Sequence, residues 1–428
     1  MSEGRQLLEA FGFTEIPKNW QVIRLSSLLA KDRPISVGVM YPGKNEDIGI
    51  PLIRAAELIG HRVDPAPEFK ISPEVNQEYK RTILEGGELL LSLVGDVGRV
   101  AVVPKWAAKW NAARAIAVLR LSDPEDAIFL RLVLQSKPLQ FLMRAWSNTT
   151  VQMTLNLKEV KEIPLPWPST VERRVIAATL TAFDDKIELN RQMNCTLEAI
   201  ARALFQSWFV DFNPVRAKMR GEQPEGMDAE TAALFPDALE VVEGREVPQG
   251  WRVGRVQDVI ELAYGKALKA ENRVSGNVPV FGSNGQVGFH NIHLATGPGI
   301  IVGRKGNPGF IKWSQSDFFP IDTAFYVVKK NQSVGLNHIF FTLSNLKLAH
   351  ISADSAVPGL NRDAAYSQVY VEPSLMILNR FEEQASLIRV QRNSLEVESA
   401  YLSTLRDSLL PRLLSGELDV SDWAEVLA

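Results

Sequence analysis

The sequence predicts an α+β molecule: two mixed α/β domains separated by two long helices packed as an antiparallel coiled coil, forming a pseudo-twofold internal repeat. Three observations predict it. Ile16-Pro17-Lys18-Asn19-Trp20-Gln21-Val22-Ile23-Arg24-Leu25 returns as Val247-Pro248-Gln249-Gly250-Trp251-Arg252-Val253-Gly254-Arg255-Val256, an offset of 231 (247 − 16). Gly95-x-x-Gly98 returns as Gly306-x-x-Gly309 at an offset of 211 (306 − 95), and Pro168-Ser169 as Pro373-Ser374 at 205 (373 − 168). A long heptad-like segment then follows each globular part. The second copy has therefore lost 26 residues (231 − 205) from its globular part while its helix stays in register. That pattern suits one rigid frame carrying two different surfaces.

The domain boundaries follow from the repeat: a first domain at 1–168, a spacer helix at 169–212, a linker at 213–246, a second domain at 247–372, and a second spacer helix with a tail at 373–428. In the first domain Gly49 to Ile53, Leu89 to Val94, Val100 to Val103 and Ala115 to Leu119 read as strands, and Ile128 to Trp146 contains a helix. In the second, Val278 to Phe281, Gly299 to Val302, Gly309 to Trp313 and Ala324 to Val328 match in order, and Asn337 to His350 matches the helix. Each glycine turn, Gly95-Asp96-Val97-Gly98 or Gly306-Asn307-Pro308-Gly309, joins two strands as a tight hairpin.

The spacer helix has the clearest signature. Pro164, Pro166 and Pro168 hold the chain extended, and Ser169 with Glu172 forms a capping box. Ile176, Leu180, Phe183, Ile187, Asn190, Asn194, Leu197, Ala201, Leu204 and Trp208 then follow alternating steps of four and three, a coiled-coil seam with a polar pair in its middle. The second helix keeps one row, Phe381, Ile388, Leu395, Leu402 and Leu409. Its other row, Ala385, Arg392, Ser399 and Arg406, is small or charged, and Pro411 is expected to interrupt the helix. From Ile176 to Trp208 the first helix should span ~50 Å at 1.5 Å per residue. DNA-binding dimers space their readers by about 34–36 Å or multiples of a helical turn, so an antiparallel pair could act as a ruler. An ordinary helical hairpin would explain the apolar rows equally well, but not the fixed offset.

Composition sets outer bounds. The chain has 428 residues and a net charge of −3, with 46% hydrophobic and 23% charged residues, as expected for a folded protein of more than one domain. A single cysteine, Cys195, forbids an intramolecular disulfide and suggests a reducing compartment. No apolar run reaches membrane-spanning length and the first residues lack a signal-peptide profile, so no membrane partner and a cytoplasmic location are expected. Residues 17–168 hold 20 Lys+Arg against 16 Asp+Glu, and 247–372 hold 12 against 8, so each globular part carries +4. The excess acid lies at 213–246 (4 basic, 8 acidic) and 373–428 (5 basic, 9 acidic). This asymmetry points toward a polyanion, with chance variation of solvated surfaces an equal alternative.

Motifs in order carry a family resemblance. The repeated Ile/Val-Pro-x-x-Trp opening, Phe281-Gly282-Ser283-Asn284-Gly285, Gly297-Pro298-Gly299-Ile300-Ile301-Val302-Gly303-Arg304-Lys305-Gly306, Phe209-Val210-Asp211-Phe212-Asn213-Pro214-Val215-Arg216-Ala217-Lys218 and Leu405-Arg406-Asp407-Ser408-Leu409-Leu410-Pro411-Arg412-Leu413-Leu414-Ser415-Gly416 resemble the specificity subunit of type I restriction-modification enzymes over nearly the whole chain. The resemblance implies two target-recognition domains, each reading half of an asymmetric bipartite site in double-stranded DNA. It further implies two methyltransferase (M) subunits and, for cleavage, restriction (R) subunits. The subunit itself would be non-catalytic and without a cofactor, S-adenosylmethionine and ATP being expected on the partners only. The second helix's end resembles the family's docking region, where Leu409, Leu410, Arg412, Leu413 and Leu414 are expected to bury against M or against the first helix.

The residues agree with a non-catalytic role. No phosphate loop occurs, Gly265-Lys266 being followed by Ala267, and no Gly-x-Gly-x-x-Gly fingerprint appears. Asp211-Phe212-Asn213-Pro214 approaches a methyltransferase motif but has Val215 where a second proline belongs, so it reads as a helix terminator. His290 and His293 have metal-ligand spacing but no acidic or cysteine neighbours, so no metal is expected. Candidate DNA contacts in the second domain are Arg304, Lys305 and Asn307 around the glycine turn, with Ser283, Asn284 and His290 in the preceding polar stretch. In the first domain they are Arg54, Arg99, Lys105, Lys109 and Arg114. Arginine can grip guanine and asparagine adenine, while a solvated surface, a salt bridge or a shared framework turn is an equal reading of each. Trp20 and Trp251 are expected as core anchors. Two other functions fit less of the sequence: a coiled-coil adaptor that binds protein or glycan, and a self-sufficient methyltransferase.

Overall fold

The computed structural model describes residues 3–13, 16–148, 152–352, 359–418 and 420. Met1, Ser2 and the tail at 421–428 lie outside the described residues. The chain divides into two compact units, Met1–Leu189 with Val397–Ala428 and Asn190–Glu396.

In the first unit a four-stranded antiparallel sheet runs in the order Ile35–Val37, Ile116–Leu119, Leu89–Ser92, Val100–Val102. Ile116–Leu119 and Leu89–Ser92 are buried along their whole length, which is why both read as continuous apolar runs. A three-stranded sheet, Lys70–Ile71, Ile50–Ile53, Asn111–Ala112, has one antiparallel and one parallel pairing. Gln21–Arg24 pairs antiparallel with Pro164–Trp167, closing the domain where the chain enters and leaves it. This pair has two strands only, so its prolines forfeit no interior ladder bond. The helix expected within 128–146 is two, Ala127–Gln135 and Lys137–Ala145, broken at the extended Ser136. Pro138 explains the break, since its ring has no N–H and would clash with the carbonyl four residues back.

The second unit repeats this topology. Its four-stranded sheet is Ile260–Tyr264, Ala324–Lys329, Gly299–Gly303, Ile311–Ser314; its three-stranded sheet is Gly285–His290, Val278–Gly282, Phe319–Pro320. The closing pair is Arg252–Arg255 with Val369–Glu372. Both glycine turns are hairpins, with φ of +78° and +96° at Gly95 and Gly98 and +86° and +78° at Gly306 and Gly309. The offset drops by 20 (231 − 211) before these turns. In the first copy that stretch holds an extra hairpin, Leu58–Ile59 with Arg62–Val63, and the helix Pro73–Glu78. The acidic linker is folded, with helices Asn213–Met219 and Ala229–Ala233 and a hairpin of Leu239–Val242 with Arg245–Pro248.

Each long helix has 40 residues, Thr170–Phe209 and Leu375–Leu414, about 60 Å at the α-helical rise. The predicted capping box is present: Ser169 N donates to Glu172 Oε2 (2.9 Å) and Glu172 N to Ser169 Oγ (3.3 Å). The other carboxylate oxygen accepts from Trp20 Nε1 at 3.0 Å, locking the domain's first strand to the helix start. Trp20 and Trp251 are both buried core anchors.

Within the first unit Lys186 pairs with Glu398 and Asp184 with Arg406; within the second, Glu198 pairs with Arg392 and Phe205 meets Phe381. Partner numbers fall as helix numbers rise, so the helices are antiparallel in each unit. Arg392 and Arg406 of the row that read as small or charged each meet a carboxylate of the first helix. Pro411 does not interrupt the second helix, which continues to Leu414. It lies in the last turn, where Ser415 N still reaches Pro411 O at 2.9 Å.

Candidate nucleic-acid interface

In the first unit two of the five candidate cations are committed internally. Arg54 ends the strand Ile50–Ile53, and its guanidinium is held by Glu57 three residues on and lies 5.8 Å from the Phe69 ring. Arg99 binds Asp96 (2.6 Å) across the glycine turn and reaches the carbonyls of Ala55 (3.3 Å) and Leu58 (3.2 Å). Together they clamp the hairpin turn to the segment after Ile53, a framework role. Lys105, Lys109 and Arg114 lie on the surface of the connection between Val102 and Ile116, and Lys109 is held at φ +74°. That connection also presents Trp106, 53% exposed and packed edge-on against Trp110 at 5.3 Å. An exposed aromatic beside lysines that have no carboxylate partner among the described residues suits a nucleic-acid surface. The sequence reading missed Trp106 because its exposure is not legible locally.

In the second unit the candidates separate further. His290 is buried, its Nδ1 accepts from Val274 N at 3.0 Å, and its ring packs edge-on to Phe319. Ser283 is also buried, under the glycine run, where a Cβ on Gly306 would stand 3.5 Å from its hydroxyl. The Gly-Arg-Lys-Gly turn is framework in its glycines, since a Cβ on Gly303 would meet the Asn307 carbonyl at 2.1 Å. Lys305 and Asn307 project from it, exposed, while Arg304 lies over the Tyr264 ring at 4.9 Å. His293 faces Asp317 at 3.5 Å, and no group of three metal-ligating side chains exists among the described residues.

Asn284 is apart from the others, on a groove of about 740 Å³ with Trp313, Gln315 and Arg392. Arg389 lines the same groove with its guanidinium 3.5 Å from the centre of the Trp313 ring and Nε donating to Asn337 Oδ1 at 2.6 Å. Burial, then the neighbouring Arg392, lowers the Arg389 pKa to about 10, so it stays charged at neutral pH.

The expected partner residues divide similarly. Leu413 and Leu414 are 1% exposed and belong to the first unit's own core, where Val420 joins them. That core includes Val175, Ile176 and Leu180 of the first helix, so the two leucines bury with the first helix, one of the two expected places. Leu409 and Leu410 pack partly against that core, and Arg412 is exposed and paired with Glu417 (2.7 Å). Exposed apolar side chains lie elsewhere on the second helix, Leu387 and Val390 in the second unit and Val397 and Tyr401 in the first, each more than 60% exposed.

The two domains share the order of their main sheets but carry different side chains at the surface. Residues 17–199 match the family of the type I restriction modification DNA specificity domain. The chain is 26% identical over 359 residues to the type I restriction enzyme HindI specificity subunit of Haemophilus influenzae, covering 68% of this chain and 77% of that one. It is 22% identical over 448 residues to the MjaIX specificity subunit of Methanocaldococcus jannaschii, covering 95% of each. The fold is shared with the crystal structure of a type I restriction-modification S subunit from M. genitalium, at a TM-score of 0.56 and 16% identity over 92% of this chain and 96% of that one. Residues 17–199 thus match a type I restriction modification DNA specificity domain, and the chain is similar over most of its length to specificity subunits of type I restriction-modification systems.

Proposed function

We propose that the two domains each read one half of an asymmetric bipartite DNA site and that the paired helices set the gap between the halves. The observation that carries this reading is the contrast between frame and surface. Strand order, glycine turn and closing strand pair recur in both units, whereas the surface groups do not: exposed Lys105, Trp106, Lys109 and Arg114 in one, exposed Asn284, Lys305 and Asn307 with partly buried Arg304 in the other. Direct readout needs distinct side chains at each half-site, while a gap needs only a stiff spacer. A matched heptad added to both long helices, about 10 Å, would then lengthen the gap by about 3 base pairs.

Adenine methylation is assigned to M subunits, which flip the target base and hold S-adenosylmethionine, and ATP-driven cleavage to R subunits. Two copies of M and, for cleavage, R would dock on this chain, which contributes no catalytic group or cofactor of its own. Leu387 and Val390, exposed on the second helix within the second unit, are the surface we assign to a partner subunit. Double replacement Leu387→Lys with Val390→Lys should abolish copurification with M, and unchanged copurification would refute the placement. Methylome sequencing of cells carrying this gene with its M partner tests the reading as a whole: a new bipartite, asymmetric methylated motif is expected, and an unaltered methylome overturns it.

A further inference from the structure

The second domain holds an arginine–tyrosine ladder whose counterpart in the first domain is purely aliphatic. The correspondence can be fixed residue by residue. Tyr264 and Val302 both face Phe325 in the second sheet, as Val37 and Leu91 both face Ala117 in the first, so Tyr264 corresponds to Val37. Leu360 N donates to Arg304 O (2.8 Å) as Leu155 N does to Leu93 O (2.9 Å), so Arg304 corresponds to Leu93. Asn361 and Asn156 then cap the short helices Arg362–Tyr366 and Leu157–Glu162, which makes Arg362 the counterpart of Leu157.

Val37, Leu93 and Leu157 all pack on the first unit's hydrophobic core. Their counterparts stack instead. The Arg304 guanidinium lies 4.9 Å from the centre of the Tyr264 ring and Arg362 5.2 Å from it, with Tyr264 half exposed. Arg362 also lies 5.7 Å from the Tyr366 ring, which Lys330 approaches at 5.7 Å. Among the described residues neither arginine has a carboxylate partner; Arg304 Nη1 donates to the Asp322 carbonyl at 3.0 Å. Exposed Lys305 follows Arg304 directly, and exposed Lys266 lies two residues after Tyr264.

Aliphatic side chains satisfy this place in the fold, so the framework does not require charge there. Two guanidiniums on one ring repel each other, and the ring stabilises each only through its face. A guanidinium stacked by its face keeps its N–H edge for a second ligand, and that edge fits the oxygens of a phosphate. We propose that the Tyr264–Arg304–Arg362 ladder grips backbone phosphates of duplex DNA, giving the second domain contacts that the first lacks. This rests on the DNA-reading assignment above and adds an inequality between the two domains.

The test is a salt titration of the full chain on a mixed-sequence fluorescent duplex. Replacing the ladder by the first domain's own triad, Tyr264→Val with Arg304→Leu and Arg362→Leu, should leave the circular dichroism spectrum unchanged. It should also reduce the magnitude of the log K against log salt slope by about 1.8, the value for two lost phosphate contacts. Arg304→Lys with Arg362→Lys should restore most of that slope. Arg245→Gln, which removes an exposed charge elsewhere, should leave it unchanged. If the triad variant fails to fold, Arg304→Gln with Arg362→Gln gives the same readout. An unchanged slope in a folded variant overturns the proposal, as does an equal fall with Arg245→Gln. A relaxed sequence preference at constant slope would overturn it in favour of base readout. A wild-type chain with no salt-dependent affinity would instead overturn the DNA-reading assignment itself.

Discussion

The two units share their strand order but fasten their domains to the helix pair by different chemistry. In the first, Asp184 is buried on the long helix and receives Arg406 of the second helix (2.7 Å) and Arg131 of the domain (3.1 Å). His61 lies 3.7 Å away and Arg62 donates to the Asp184 carbonyl while pairing with Glu188. In the second, the junction is aromatic: Phe205, Phe209, His338 and Phe381 pack ring against ring, and Trp251 meets Phe209. Its charged element is smaller. Glu382 accepts from Asn337 N (3.0 Å) and Asn337 Nδ2 (2.9 Å) at the start of the helix Leu336–Asn345, where a carboxylate also suits the helix dipole. One frame thus tolerates an ionic or an apolar fastening, which shows that repeat identity resides in the backbone path and not in the contacts that hold it.

The ionic junction should be the easier to break with one substitution. Asp184→Ala leaves Arg131 and Arg406 facing each other without a carboxylate, and a buried pair stripped of one partner costs about 3–5 kcal/mol. Hydrogen exchange should localise the loss to the helix Ala127–Gln135 and spare Leu336–Asn345. Phe381→Ala should reverse that pattern, at about 3–5 kcal/mol for a lost core phenyl ring. Acid sharpens the contrast. Burial holds His338 neutral and lowers its pKa to about 3, so the unfolded chain binds a proton below about pH 6.5 that the folded chain refuses. Stability of the second unit should fall as the pH drops from about 6.5 toward 3, by about 3 kcal/mol at pH 4, and His338→Phe should flatten the profile. His61, lowered to about 4 chiefly by burial against the pull of Asp184, is neutral at pH 7, so its contact with Asp184 is not an ion pair there. The smallest effect is Trp20→Phe, which removes the indole bond to Glu172 at about 1 kcal/mol by thermal denaturation.

What the sequence made legible was whatever the backbone itself demands. Trp20, Pro164, the Ser169–Glu172 capping box and the paired glycines of the hairpin turns are each fixed by local geometry, and of these the tryptophan, the capping serine and the glycines recur at computable offsets. The residues whose surroundings were not legible depend on partners far away in the chain. Arg406 read only as a charged member of its row because Asp184 is 222 positions distant. The burial of His290 did not show because Val274 N and Phe319, which bury it, belong to other segments. For Leu413 and Leu414 the sequence left two places open, M or the first helix, because the Val175, Ile176 and Leu180 side chains they join lie more than 200 positions earlier. Tyr264, Arg304 and Arg362 lie 40 and 58 positions apart (304 − 264 and 362 − 304), so no window of sequence could show one ladder.

The central claim is that one frame carries two independent readers of a single DNA site. Exchanging residues 247–372 for the equivalent domain of a relative with a different target, followed by methylome sequencing, tests this most directly. The account predicts that one half of the methylated motif changes while the other half and the gap stay as they were. A motif altered in both halves, or in neither, would contradict it.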